Sequence, residues 1–253
     1  MAFAALGRLG FVLFACAVAG CAGRAQSLSP VHKLSPAEIS NDAAPGERFY
    51  IIVFGSERTL RAPRYTHTWA TLVKTVEVPG SAPQVTETHT ISWMPATLKI
   101  HPWKFTPEPG HNLELHETVR MALGLREHVV SWGPYEIQPR GYRRFLLQKE
   151  FMESGQIGYQ CIDTIGAGAD GTGCDCIHAV TDMDPQFQRG YYRLTRFGVA
   201  GSEFIVRQFF ERGLLVSGET HSWLNGPLGL SQYPIDHRTY DRQRGIRVGP
   251  SKN

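Results

Sequence analysis

The sequence predicts an α+β domain in which a small antiparallel β-sheet packs against three or four helices. In a chain of 253 residues, a hydrophobic share of 42% is enough for one core of ordinary size. Two β-rich segments flank a turn rich in proline and glycine, which is typical of an antiparallel hairpin. Elsewhere, apolar residues recur at helical spacing in segments that stop near a glycine.

The predicted strands lie mainly in the first half of the domain. Segment 49–54 is aromatic and β-branched and stops at Gly55, as a buried strand does. Segments 65–78 and 85–94 form the predicted hairpin around a turn at 79–83. Further strands are predicted at 129–137, 157–162 and 214–216.

The predicted helices alternate with two loops of distinctive composition. The helices cover 113–127 with Asn112 as the cap, 142–153, 176–183, and 203–212 with Ser202 as the cap. Segment 95–110 contains four prolines and segment 166–173 contains four glycines, so both are predicted to be loops.

The first twenty residues resemble a secretory signal. Arg8 precedes an apolar run at 9–18, and the segment ends in small residues. Val18-Ala19-Gly20-Cys21 resembles the lipobox of bacterial lipoproteins, in which Cys21 would be lipidated and anchor the exported protein to a membrane of the cell envelope. Cleavage elsewhere, which would leave Cys21 free, is the alternative. The predicted organisation is a signal at 1–20, a flexible tether at 21–47, a single domain at 48–235 and a polar basic tail at 236–253.

The net charge and the number of cysteines indicate which partners and which disulfide the protein can have. A net charge of +3 without a basic run does not favour a nucleic-acid partner. Export would leave Cys161, Cys174 and Cys176 in an oxidising compartment, where one disulfide leaves one thiol over. A bridge between Cys174 and Cys176 would be strained. We therefore predict a Cys161–Cys174 disulfide and a free Cys176, with a Cys161–Cys176 disulfide as the competing pair.

Cys176 is the candidate nucleophile because it begins a predicted helix, where backbone N–H groups favour a thiolate. His67, at the start of a predicted strand, is the candidate base, and His89 or Ser92 is the candidate group that orients its imidazole. No cofactor is predicted. The rival hypothesis is a zinc site built from Cys161, Cys174, Cys176 and His178, although this close spacing is unusual for zinc.

A histidine that opens a strand, followed about a hundred residues later by Asp175-Cys176-Ile177-His178-Ala179, resembles the circularly permuted papain-like hydrolases. Their cysteine motif is similar to Asn-Cys-x-His-Phe, from which Asp175 and Ala179 depart. The resemblance implies a permuted papain-like fold and a thiol acyl-enzyme that acts on amide, ester or peptide bonds. For an anchored envelope protein, this predicts a cysteine hydrolase or acyltransferase whose expected substrate is peptidoglycan peptides, with lipid acyl groups as the second candidate. The alternative function is a non-catalytic envelope lipoprotein that serves as a scaffold or binding module.

Overall fold

A long central strand organises the fold, and helices cover both faces of the sheet around it. The computed structural model describes residues 27–58, 63–164, 166–187, 197–240 and 247–248. Its strands are β1 Glu47–Glu57, β2 Thr66–Val76, β3 Gln84–Ile91, β4 Trp93–Pro95, β5 Gly110–Asn112, β6 His128–Ile137, β7 Gly158–Tyr159, β8 Gly173–Cys174, β9 Leu215–Thr220, β10 Ile235–Tyr240 and β11 Arg247–Val248. Its α-helices are α1 Leu115–Gly124, α2 Pro139–Glu153, α3 Cys176–Thr181 and α4 Val199–Glu211. The α+β class is therefore confirmed.

Seven strands form the main sheet in the order β11-β10-β6-β1-β2-β3, and β9 pairs with β6 outside this path. The predicted hairpin is present, because β2 and β3 pair antiparallel with Leu72 opposite His89. The sheet is mixed, however, since β10 runs parallel to β6 with Ile235 opposite Val129. The prediction of a purely antiparallel sheet was wrong, and the predicted basic tail from residue 236 begins inside strand β10.

The side chains of β1 alternate between two cores. Phe49, Ile51 and Val53 belong to a core that includes side chains of α2, α3 and α4, and we call this side the α3 face. Tyr50, Ile52 and Phe54 belong to a core with side chains of α1, which we call the α1 face. Because successive strand side chains point to opposite faces, the two cores follow directly from the extended backbone.

The helix starts differ from the predicted caps at two places. Helix α1 begins after Glu114, whose backbone N–H donates to the Glu117 carboxylate (3.1 Å), rather than after Asn112. Helix α4 begins at Val199, so Ser202 lies within it and donates to the carbonyl of Phe54 (2.5 Å). Ser202 therefore ties α4 to the centre of the sheet. None of the helices in the described ranges combines the length and apolar character needed to cross a membrane.

The segment predicted to be a flexible tether is packed on the domain from Ser27 onward. The hydroxyl of Ser27 donates to the Asp182 carboxylate (2.8 Å), and Ser29 and Val31 are buried. A tether extending to residue 47 was therefore wrong for its described part. The predicted signal and Cys21 lie outside the described residues.

Candidate functional site

Cys176 is the first residue of α3, as the sequence predicted. The Asp175 side chain caps the helix by accepting a hydrogen bond from the backbone N–H of His178 (2.6 Å). Ile177, Ala179 and Val180 pack into the core on the α3 face. The cap and the buried apolar residues together fix the helix start on the sheet.

A cavity of about 460 Å³ opens beside Cys176. Its inner wall carries the buried side chains of Tyr159, Asp163 and Asp175, together with the two partly buried thiols of Cys161 and Cys176. The rest of the lining is mostly apolar and comprises Ile100, Pro102, Trp103, Ile162, Ile177 and Phe197, with Arg64, Thr66 and Thr164. The cavity thus combines apolar walls with a polar inner end.

A buried histidine–aspartate network supports this inner end. His178 is completely buried, and its Nδ1 donates to the Asp163 carboxylate, since a carboxylate can only accept. Asp163 also accepts from the backbone N–H of Asp175 (2.9 Å). The network joins the turn after β7 to the start of α3 and holds both carboxylates at the cavity.

Asp163, Asp175 and His178 are also the described residues that could hold a metal, since their donor atoms lie within 4.8 Å of one another. The four residues of the rival zinc hypothesis, Cys161, Cys174, Cys176 and His178, do not form such a group. The thiol of Cys174 donates to the carbonyl of Asp175 (3.3 Å), and Nδ1 of His178 is bonded to Asp163. The described residues whose donor atoms converge are therefore two aspartates and one histidine, and not the four residues of the predicted zinc set.

The structure does not form the predicted Cys161–Cys174 disulfide, because none of the three described cysteines takes part in a disulfide. Strands β7 and β8 pair with Tyr159 opposite Cys174. Cys161 lies two residues further along, a displacement of about 7 Å in extended chain, which is unfavourable for a disulfide. Cys174 points into the core on the α3 face and is fully buried, whereas Cys161 and Cys176 line the cavity.

Cys161 is a poorly ionised thiol. Burial raises its pKa to about 12, and the negative charge of Asp175 adds to the shift. The hydroxyl of Tyr159 hydrogen-bonds Cys161 and opposes part of that shift. Cys161 is therefore suited to packing and weak polar contact rather than to nucleophilic attack near neutral pH.

His67 does not lie beside Cys176, so the predicted nucleophile–base pair was wrong. Thr68, the next residue of β2, bonds the carbonyl of Gly198 (3.2 Å) on the α3 face. His67 points to the α1 face, where it stacks on Trp69 with ring centroids 5.4 Å apart. The physical reason is the alternation of strand side chains, which puts neighbouring residues on opposite sides of the sheet.

The buried environment of His67 also opposes a role as a base. Its Nε2 hydrogen-bonds the hydroxyl of Ser92 (2.8 Å), so the predicted contact between these two residues exists, but away from the thiol. Burial lowers the pKa of His67 to about 3, far below the value that suits a base at neutral pH.

His89, the other candidate for orienting His67, does not do so. It lies on β3 opposite Leu72, and its Nε2 contacts the Glu87 carboxylate (3.2 Å) at the sheet edge. All ten histidines of the sequence belong to the described part of the chain, and none of them lines the cavity. The thiols of the cavity therefore have no imidazole facing them across it.

Sequence reasoning missed Tyr159, Asp163 and Trp103 as cavity residues. A usable signal was present, because Cys161 and Cys176 each lie within two residues of an aspartate, Asp163 or Asp175. None of the protein families, curated proteins or solved structures compared with this chain matches it.

Proposed function

We propose that this protein is a non-catalytic binding module of the cell envelope, whose cavity takes a small amphipathic ligand. The observation that carries the proposal is that none of the ten histidines lines the cavity with Cys176. A Cys–His hydrolase needs an imidazole within hydrogen-bond reach of its thiol. The binding function is therefore preferred over the predicted hydrolase or acyltransferase.

The composition of the cavity supports a ligand with an apolar body and a polar head. A volume of about 460 Å³ falls in the range typical of small-molecule sites. Asp163 and Asp175 supply two carboxylates to the lining, and Arg64 supplies a guanidinium. The lining therefore offers polar groups that can hold a polar head beside the apolar walls.

Export and anchoring through a lipidated Cys21 belong to the same proposal. They are supported by the apolar leader and the Val18-Ala19-Gly20-Cys21 sequence. Metabolic labelling with an alkyne fatty acid, compared between the wild-type chain and Cys21→Ser, tests the anchor. Equal label in both proteins would contradict it.

The permuted papain-like fold remains a prediction. One feature of the structure supports it. Strand β2 precedes α3 in the chain and the two elements pack together, as the histidine strand and the nucleophile helix would. The orientation of His67 is the feature that argues against an active enzyme of that kind.

The experiment uses octylamine and octanoate, which share an apolar chain and differ in the charge of the head. Calorimetry with the purified chain should show binding of octylamine, whose ammonium head can contact the carboxylates of the lining, and the affinity for octanoate measures how much the charge of the head matters. Ile100→Trp should block the cavity, and Leu98→Trp in the same loop is the matched control outside its lining.

Two results would overturn the proposal. One is equal affinity of wild type and Ile100→Trp for octylamine. The other is multiple-turnover hydrolysis of a p-nitrophenyl ester that is lost in both Cys176→Ala and His67→Gln, which would restore the hydrolase hypothesis.

A further inference from the structure

Large apolar side chains are concentrated on the loop at 96–109, which connects β4 to β5 and which we call the Trp103 loop. Trp103 is 80% exposed, Phe105 is 43% exposed and Leu98 is 41% exposed. The other exposed large hydrophobic residues of the described chain are distributed over three separate elements: Leu125, Val216 and Trp223. Isolated exposed apolar residues are ordinary, but a cluster of this kind marks a contact surface.

The Trp103 loop is held in place by a hydrogen bond to a neighbouring loop and by an ion pair within itself. The carbonyl of Phe105 accepts from the backbone N–H of Ala167 (3.0 Å) in the glycine-rich loop. Lys104 Nζ donates to the carboxylate of Glu108 (3.1 Å), which is nearly buried. The exposed rings are therefore presented by an ordered turn, and little conformational entropy has to be lost when they contact a partner.

The chemistry of the loop fits a lipid surface better than a protein partner. The loop contains two lysines, Lys99 and Lys104, and one acidic residue, Glu108. Glu108 pairs with Lys104 (3.1 Å), which leaves Lys99 for contact with an anionic lipid. Tryptophan beside lysine is typical of segments at the membrane–water interface, where the ring lies among headgroups and the ammonium contacts anionic lipid.

The lipid anchor at Cys21 proposed above would also place the bilayer near the Trp103 loop. Ser27 bonds Asp182, which follows the last residue of α3, while Cys176 at the other end of α3 lines the cavity together with Trp103. Helix α3 is about 9 Å long, and the six residues from Cys21 to Ser27 reach at most about 20 Å. An anchor at Cys21 would keep the bilayer close to this part of the domain.

We propose that the Trp103 loop docks on an anionic bilayer surface, with Trp103, Phe105 and Leu98 among the headgroups and Lys99 on a lipid phosphate. Because Trp103 also lines the cavity, docking would bring the cavity mouth to the membrane. An amphipathic ligand could then pass between bilayer and cavity without crossing bulk water.

Vesicle flotation of the chain from residue 21 onward with Cys21→Ser tests docking without the anchor. The probes are vesicles of phosphatidylethanolamine with phosphatidylglycerol, and vesicles of phosphatidylcholine alone. Wild type should bind the anionic vesicles, and Trp103→Ala/Phe105→Ala should bind at least about 10-fold more weakly. Trp223→Ala is the matched control, because Trp223 is an exposed tryptophan that packs near Tyr50 on the α1 face.

Phe105→Ala separates docking from ligand binding, because Phe105 does not line the cavity. This variant should bind vesicles more weakly and octylamine normally. Failure of octylamine binding alongside normal vesicle binding would overturn only the proposed function. Two results would overturn the docking proposal. One is equal vesicle binding by wild type and the double variant, and the other is absence of vesicle binding by wild type.

Discussion

Replacing His67 with glutamine should make the stability of the protein less sensitive to acid. His67 is 2% exposed, and burial lowers its pKa from an ordinary value of 6.5 to about 3. Between these two values the unfolded chain binds a proton at this residue and the folded chain does not. Stability therefore decreases as the pH falls below the unfolded pKa, and the variant lacks this contribution because a glutamine side chain does not titrate.

The expected size follows from this difference in pKa. In the interval where only the unfolded state is protonated, the free energy of unfolding changes by about 1.4 kcal/mol per pH unit. From pH 7.5 to pH 5 His67 should therefore cost the wild type about 2 kcal/mol that the variant does not lose.

Urea unfolding at several pH values between 7.5 and 5 measures this difference. The slope of stability against pH should be shallower in His67→Gln, whatever its absolute stability. Burial raises the pKa of Glu127, which gives a contribution of opposite sign, but comparing slopes between variants cancels it. His128→Gln, which replaces an exposed histidine on β6, is the matched control. Parallel pH profiles for wild type and His67→Gln would refute the burial argument.

Three further predictions concern the cavity and its support. At pH 8, iodoacetamide should modify Cys161 roughly 10³-fold more slowly than an ordinary thiol, because the pKa of Cys161 is about 12. It should also leave the fully buried Cys174 unmodified. Peptide mass spectrometry measures both rates, and rapid labelling of Cys174 would contradict its burial. Asp163→Ala should destabilise the fold by about 3 kcal/mol or more, because it removes a buried partner of His178; an unchanged urea midpoint would contradict the network. Gly55→Ala should cost about 1–3 kcal/mol in the same assay, because the added Cβ would lie 2.4 Å from Oγ of Ser202, and unchanged stability would show that α4 can move away freely.

The elements that sequence reasoning placed well are those determined by local chemistry. The turn at 79–83 and the β-rich segments beside it predict the hairpin, because they specify a reversal within a few residues. The apolar segment at helical spacing after the glycine-rich loop predicts a helix from Cys176, and Cys176 is the first residue of α3.

The side of the sheet on which His67 lies could not be predicted from the pattern of β2. Most of this strand is buried on both faces, so its apolar residues do not indicate which face contacts α3. A shift of one residue exchanges the two faces, and only the packing of helices against the sheet decides the outcome. The same limit applies to Ser92, whose contact with His67 depends on which face each of them occupies.

The cysteine prediction failed for a similar reason. An odd number of cysteines identifies possible partners, but a disulfide also requires suitable distance and direction. The structure places Cys174 in the core, opposite Tyr159, while Cys161 and Cys176 line the cavity. Strand β10 was missed because its parallel pairing with β6 joins residues about a hundred positions apart.

The sequence by itself determined the α+β class, the hairpin and the helix start at Cys176, because these depend on propensities and spacing among near neighbours. The tertiary structure alone decided which side chains share a cavity with that thiol. It brought Asp163, Tyr159 and Trp103 to Cys176 and turned His67 to the other face. The physical reason is that a site is assembled by strand register and helix packing across long sequence distances, which local patterns do not specify.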